Sequence, residues 1–230
     1  MIRAVPSVDT IDQVVERLRE LEASLPPSDG VRWFNRLYLE VTLAVRDWVR
    51  GRSLEAPPFL ERLDVFFGNA YFAAFDAAAS GSQVPHAWAP LFEARHGREI
   101  APLQFALAGM NAHINHDLAR GVVATCEALA MEPDRPQQDD YNNVNVILRE
   151  TEARVKRWLL TGAVEELDHV VAPADDLAAI WSITRARDAA WVRARVLWRL
   201  RGEPQLTADY LAVNERATEM AGRAMLLPLG

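Results

Sequence analysis

The segment Gly109-Met110-Asn111-Ala112-His113-Ile114-Asn115-His116-Asp117-Leu118 decides how this chain is read. On either side of it, Leu103 to Ala108 and Gly121 to Leu129 are almost wholly apolar, the composition of a helix that lies inside a protein. At helical period Asn111 falls with Asn115 and His113 with Asp117, four residues apart, and His113 with His116, three apart, so each pair shares a surface. Two imidazoles, two amides and a carboxylate in an interior cost on the order of several kcal/mol unless they are paired, metal-bound or hydrated. A helix that accepts such a cost is the first place to look for chemistry.

Outward from this segment the signals stay helical, and no stretch alternates as a strand does. The central run extends from about Glu99 to Met131, with Gly109 and Gly121 bending it or admitting a close neighbour. Upstream, His86 to His96 reads as a short helix with Trp88, Leu91 and Phe92 on one side. Phe59 to Ala79 is apolar on most sides and belongs in the centre of a fold, with Asp64, Asn69 and Asp76 as its polar exceptions. A helix opened by Ser28 and Asp29 runs to Gly51, and a first one, capped by Ser7 or Asp9, stops at Pro26-Pro27.

Downstream, Glu132 to Pro136 is a connector, and Asp139 or Asp140 caps a helix that runs through Trp158 to Leu160 and ends at Thr161-Gly162. Pro173 to Arg201 reads as a long helix carrying Leu177, Ile180, Trp181, Trp191 and Trp198, and Thr207 to Leu226 as the last. No repeat and no long linker divides the chain. The expected fold is all-α: residues 1–230 form a single-domain bundle of about seven or eight helices.

Composition narrows the function classes. At 230 residues, 50% hydrophobic and 25% charged, the chain can build an ordinary globular core. A net charge of −7 favours neither nucleic acid nor an anionic membrane surface. The basic residues are arginines apart from Lys156. Cys126 is the single cysteine and sits in an apolar run, so it forms no internal disulfide and is read as a small core residue. The opening residues hold no signal-peptide core and no apolar run has membrane-spanning length, so the expectation is a cytoplasmic protein with a small-molecule substrate. A homodimer stays open, since an aromatic-rich helix near the C-terminus can bury itself in one.

Three readings of His113 and Asp117 compete. They are a metal pair, taking one divalent ion such as zinc, completed by Asp140, His116 or Asp64 from elsewhere. Or Asp117 fixes the tautomer of His113, which then moves a proton on a substrate. Or the two form a structural hydrogen bond. Asn111 can orient a substrate carbonyl or hydroxyl, and Asn145, in an otherwise apolar stretch, points inward. Arg187, near Trp191, can take a carboxylate or stack on the ring. Phe67 and Tyr71, beside Phe66 and Phe72, supply the apolar wall of a small-molecule site. There is no phosphate-cradling glycine loop, no Gly-x-Ser-x-Gly elbow, no His-Glu-x-x-His and no dinucleotide fingerprint, which argues against P-loop hydrolysis and hydride transfer.

The stretch Gly109-Met110-Asn111-Ala112-His113-Ile114-Asn115, followed by Asp117-Leu118, resembles the signature of a mostly actinobacterial helical family known only as a domain of unknown function. Asp140-Tyr141 followed by Val144 to Leu148, and Arg187 followed by Ala190-Trp191, are weaker echoes of the same pattern. The resemblance covers roughly Trp33 to Trp198 and implies a helical fold; the pattern has an aromatic residue where this chain has His116. The spacing His113-x-x-x-Asp117 is also similar to ligand pairs on helices of the zinc-dependent phospholipase C and P1-nuclease group. With five histidines, this chain has ligands for one ion at most, not for a trinuclear centre.

The expected function is therefore an enzyme acting on a small, largely apolar molecule by His/Asp acid–base or single-metal chemistry: hydrolysis, or cyclisation or isomerisation of a specialised metabolite. The alternative is a non-catalytic ligand-binding or protein-interaction module whose polar cluster only fixes helix packing.

Overall fold

Every residue from Pro102 to Ala112 is buried, and the rest of the protein is arranged around that rod. The computed structural model describes residues 7–51, 57–148 and 182–228. The expected helical stretches 149–160 and 173–181, with Trp158, Thr161, Gly162, Leu177, Ile180 and Trp181, lie outside the described residues, as does His169.

Helix α1 (Ile11–Ser24) is opened by Thr10, not by Ser7 or Asp9. The Thr10 hydroxyl accepts from the Gln13 amide at 3.2 Å, and the Gln13 side chain returns to the amides of Asp9 and Thr10 at 2.7 and 3.2 Å. Helix α2 (Val31–Gly51) begins where Asp29 Oδ1 accepts from the Val31 amide at 3.0 Å, and Gly51 is its last described residue. Helix α3 (Pro57–Ser80) is the apolar helix read from the sequence, and α4 (Ala89–Ala94) is shorter than expected.

The central run divides into α5 (Pro102–Ala112), a π-helical segment (His113–Leu118) and α6 (Ala119–Ala128). Its irregularity thus falls on the polar cluster itself, not on Gly109 or Gly121; wide π turns of this kind recur at functional sites. Gly109 serves the other purpose read for it. A Cβ there would lie 2.3 Å from Cγ of Phe34, so the glycine lets α2 cross in close contact.

Helix α7 covers 135–148 and already includes Asp140, so the capping role expected of that carboxylate is not what buries it. Helix α8 (Ile183–Leu200) is capped by Ser182, and α9 (Pro204–Met225) closes the chain. Counting Pro102–Ala128 as one rod, the described residues form eight helices and no strand, in agreement with the bundle read from the sequence.

The rod is wrapped along its length. α2 and α9 pack on α5, α3 and α8 on α6, and α3, α8 and α9 all reach the π segment. α1 lies across α2 and α3, while α4 sits against α5 and α9. Buried Gln104 clasps the far end, accepting from the Ala101 amide at 2.9 Å and donating to the carbonyls of Met225 and Leu227, each at 2.7 Å. Among the described residues no helix is long and apolar enough to cross a membrane.

Candidate site beside the π-helical segment

Asp117 is the hub of the polar cluster. Its Oδ2 receives His113 Nδ1 at 3.1 Å and the indole N–H of Trp88 at 3.0 Å, and its Oδ1 receives His116 Nδ1 at 2.6 Å. Burial by itself would push this carboxyl group up, yet the hydrogen bonds from His113 and His116 hold it below the usual carboxylate range. An ionised acceptor fixes the protons of its neighbours, so His113 and His116 each carry hydrogen on Nδ1. On the far side of His116, Nε2 accepts from Arg120, and Glu215 Oε1 lies 3.6 Å from it.

The second nitrogen of His113 is different. Nε2 is buried and has no hydrogen-bond partner. Burial lowers the proton affinity of the ring, against the pull of Asp117, so the imidazole is neutral and Nε2 presents a lone pair. Three rings hold it in place. Phe67 stacks on it with centroids 3.4 Å apart and planes 10° from parallel, Tyr38 meets it edge-on at 4.5 Å, and Phe34 at 5.6 Å.

His113 lines a partly enclosed cavity of about 80 Å³. Apolar side chains from α2, α3, the rod, α7 and α8 form most of the wall, Leu37, Val41, Leu60, Leu63 and Phe67 among them. Four residues bring polar groups to it: His113, Tyr38, Asp64 and Arg187. The Tyr38 hydroxyl and Asp64 Oδ2 are, like His113 Nε2, buried without a partner. Burial pushes the Asp64 carboxyl group up to about 7 and, with the charge of Asp64, raises the Tyr38 phenol well above its ordinary value. An apolar cleft with a few unsatisfied polar atoms is the usual make-up of a small-molecule site.

The residues read from the sequence divide accordingly. His113, Phe67 and Arg187 line the cavity. Asn145 supports it from behind, accepting from Arg187 Nε at 2.8 Å. Asn111 is not on the cavity wall: it donates to the Thr218 carbonyl at 2.8 Å and accepts from Asn115 at 3.1 Å, tying the rod to α9. Tyr71 is not part of the wall; it is sealed behind Phe34 and Trp88, and its hydroxyl donates to Asn35 Oδ1 at 3.3 Å. Trp191 is also core, packed on Tyr141 and Phe59 with centroids 4.9 and 6.2 Å away.

The metal set of His113, Asp117 and Asp140 is not assembled. Among the described residues no group of three or more His, Cys, Asp or Glu side chains is placed to hold an ion, and the facing atoms of His113 and Asp117 are spent on each other. Cys126 is buried and its thiol is pushed up to about 11, which suits a core residue. Two participants had no sequence signal. Trp88 lies 29 residues from Asp117, and Tyr38 is one aromatic of a stripe that looks like ordinary core.

No curated protein and no solved structure matches the chain. A family profile does, over residues 11–228, which include the whole rod and every residue of the cavity wall named above. The chain belongs to that family, described as a family of unknown function and designated DUF5995.

Proposed function

We propose that this protein is an enzyme that carries out acid–base chemistry on a small, largely apolar molecule held against His113. One observation carries the reading: His113 Nε2 is buried, unpartnered and on the cavity wall, while Nδ1 is tied to an ionised Asp117. A neutral ring with a free lone pair is a base, and the carboxylate behind it stabilises the imidazolium that forms when it takes a proton. The Tyr38 hydroxyl, kept protonated by burial, and the Asp64 carboxyl group, poised near neutrality, are the groups that can donate to a substrate oxygen. Among the described residues of the wall there is no Ser, Thr or Cys. This favours proton transfer, as in an isomerisation or cyclisation, or hydrolysis by water activated at Nε2, over a covalent intermediate.

Hydrogen–deuterium exchange at carbon tests the reading. Purified protein is screened by thermal shift against small apolar acids, ketones, alcohols and esters, and the compounds that bind are followed by NMR in D₂O. His113→Asn keeps a donor for Asp117 but removes Nε2, so it should retain binding and lose about 10²- to 10⁴-fold of the exchange or turnover rate. Turnover at the wild-type rate in that variant would show that the cluster is structural.

A further inference from the structure

Arg187 reaches the cavity as a cation whose hydrogen-bond partners among the described residues are neutral. It is 7% exposed. Its Nε donates to Asn145 Oδ1 and its Nη2 to the Tyr141 carbonyl, both at 2.8 Å. The guanidinium carbon stands 4.0 Å above the centre of the Tyr141 ring, and the Tyr141 hydroxyl donates back to the Arg187 carbonyl at 2.8 Å. These contacts fix where the guanidinium sits, and none of them supplies a negative charge. Among the described residues no carboxylate forms an ion pair with it, and adjacent Asp188 is exposed. A buried guanidinium without a counter-ion is expensive, because an isolated charge loses its hydration and gains no Coulombic partner. Its fork is also the geometry that takes a planar oxyanion on two parallel donors.

We infer that the molecule bound here is a small apolar monocarboxylate, its carboxylate on Arg187 and its hydrocarbon body along Leu37, Val41, Leu60 and Leu63 toward His113. A single cation matches a single negative charge, and the wall supplies no second arginine or lysine among the described residues for a phosphate dianion. The inference rests on the reading of this cavity as the active site for what happens at His113, but the binding half stands on Arg187 alone.

Calorimetric titration of the whole protein with hexanoate and with hexanamide separates charge from hydrocarbon, since the two share one body. Wild-type protein should bind hexanoate about tenfold tighter or more than hexanamide. Arg187→Gln should abolish the preference. Asn145→Asp should do the same while keeping the fold, because it places a carboxylate on Arg187 Nε with almost no change of shape. Equal binding of the two probes, binding of neither, or a preference that persists in both variants would overturn the inference. His113→Asn should leave the preference intact. If it does so and turnover is also unaffected, the anion site stands and the acid–base reading falls.

Discussion

Phe67 lies flat on His113, ring on ring at 3.4 Å, although the two residues belong to different helices and are 46 positions apart. α3 supplies the stacked ring and α2 the edge of Tyr38, so the imidazole on the π segment is held from two directions with Nε2 left free. The rings that orient the base also keep it dry, and dryness is what keeps it neutral.

Phe67→Ala should therefore raise the proton affinity of His113 toward its ordinary value of 6.5, because water reaches the uncovered face. The His113 Cε1–H resonance, followed against pH by NMR, reads the midpoint directly. The same change should cost about 2 kcal/mol of stability, for a large ring that is only half-buried. A midpoint that does not move would mean that the other walls suffice to exclude water.

Trp88→Phe removes one of the two donors on Asp117 Oδ2. The carboxyl group should titrate higher, and stability at neutral pH should fall by about 1–3 kcal/mol. The sign follows from linkage: Asp117 has a folded value below its unfolded 3.8, so its contribution is present above 3.8 and is lost as pH falls through the folded value. With the folded value brought nearer to 3.8, the variant should lose less on acidification than wild type. Denaturant midpoints at pH 7 and pH 3 give the comparison.

Asp64 works in the opposite sense. Burial raises it from 3.8 to about 7, so the folded protein holds a proton that the unfolded chain has released. Stability from this group is complete below 3.8, declines as pH rises toward 7 and is gone above it. Asp64→Asn should show little gain near pH 4 and a growing gain up to pH 7, level thereafter. The upper limit is about 4 kcal/mol, at 1.36 kcal/mol per pH unit. Melting curves of the two proteins from pH 4 to pH 8 would show the divergence; parallel curves would place Asp64 in water.

Gly109→Ala tests the close approach that the fold depends on. The added methyl group would stand 2.3 Å from Phe34 Cγ, inside the aromatic cluster that also contains Tyr71, Trp88 and His113. Phe34 is buried and cannot swing aside, so the variant should lose about 2 kcal/mol, or roughly 4–8 °C in melting temperature for a chain of this size.

The arrangement was partly legible beforehand. Apolar flanks around Gly109 to Leu118 announced a buried rod, and the four-residue step from His113 to Asp117 announced their hydrogen bond, since both are local consequences of helical geometry. The same reasoning did not tell that Asn111, Tyr71 and Trp191 stand off the cavity wall. A periodicity argument tells which side of a helix is covered but not whether a cavity or another side chain covers it. Asp140 was read as a cap because carboxylates favour helix starts, yet the helix begins at residue 135 and carries Asp140 inward.

Sequence alone determined the described helices, the apolar character of the rod and the pairing of imidazole with carboxylate, because each is written in residues at most a few turns apart. Only the tertiary structure decided that Trp88 would complete the shell of Asp117, that Phe67 and Tyr38 would clamp His113, and that Arg187 would share its cavity. Those relations join helices far apart along the chain. They depend on how closely the helices approach, and periodicity within a single helix carries no record of that.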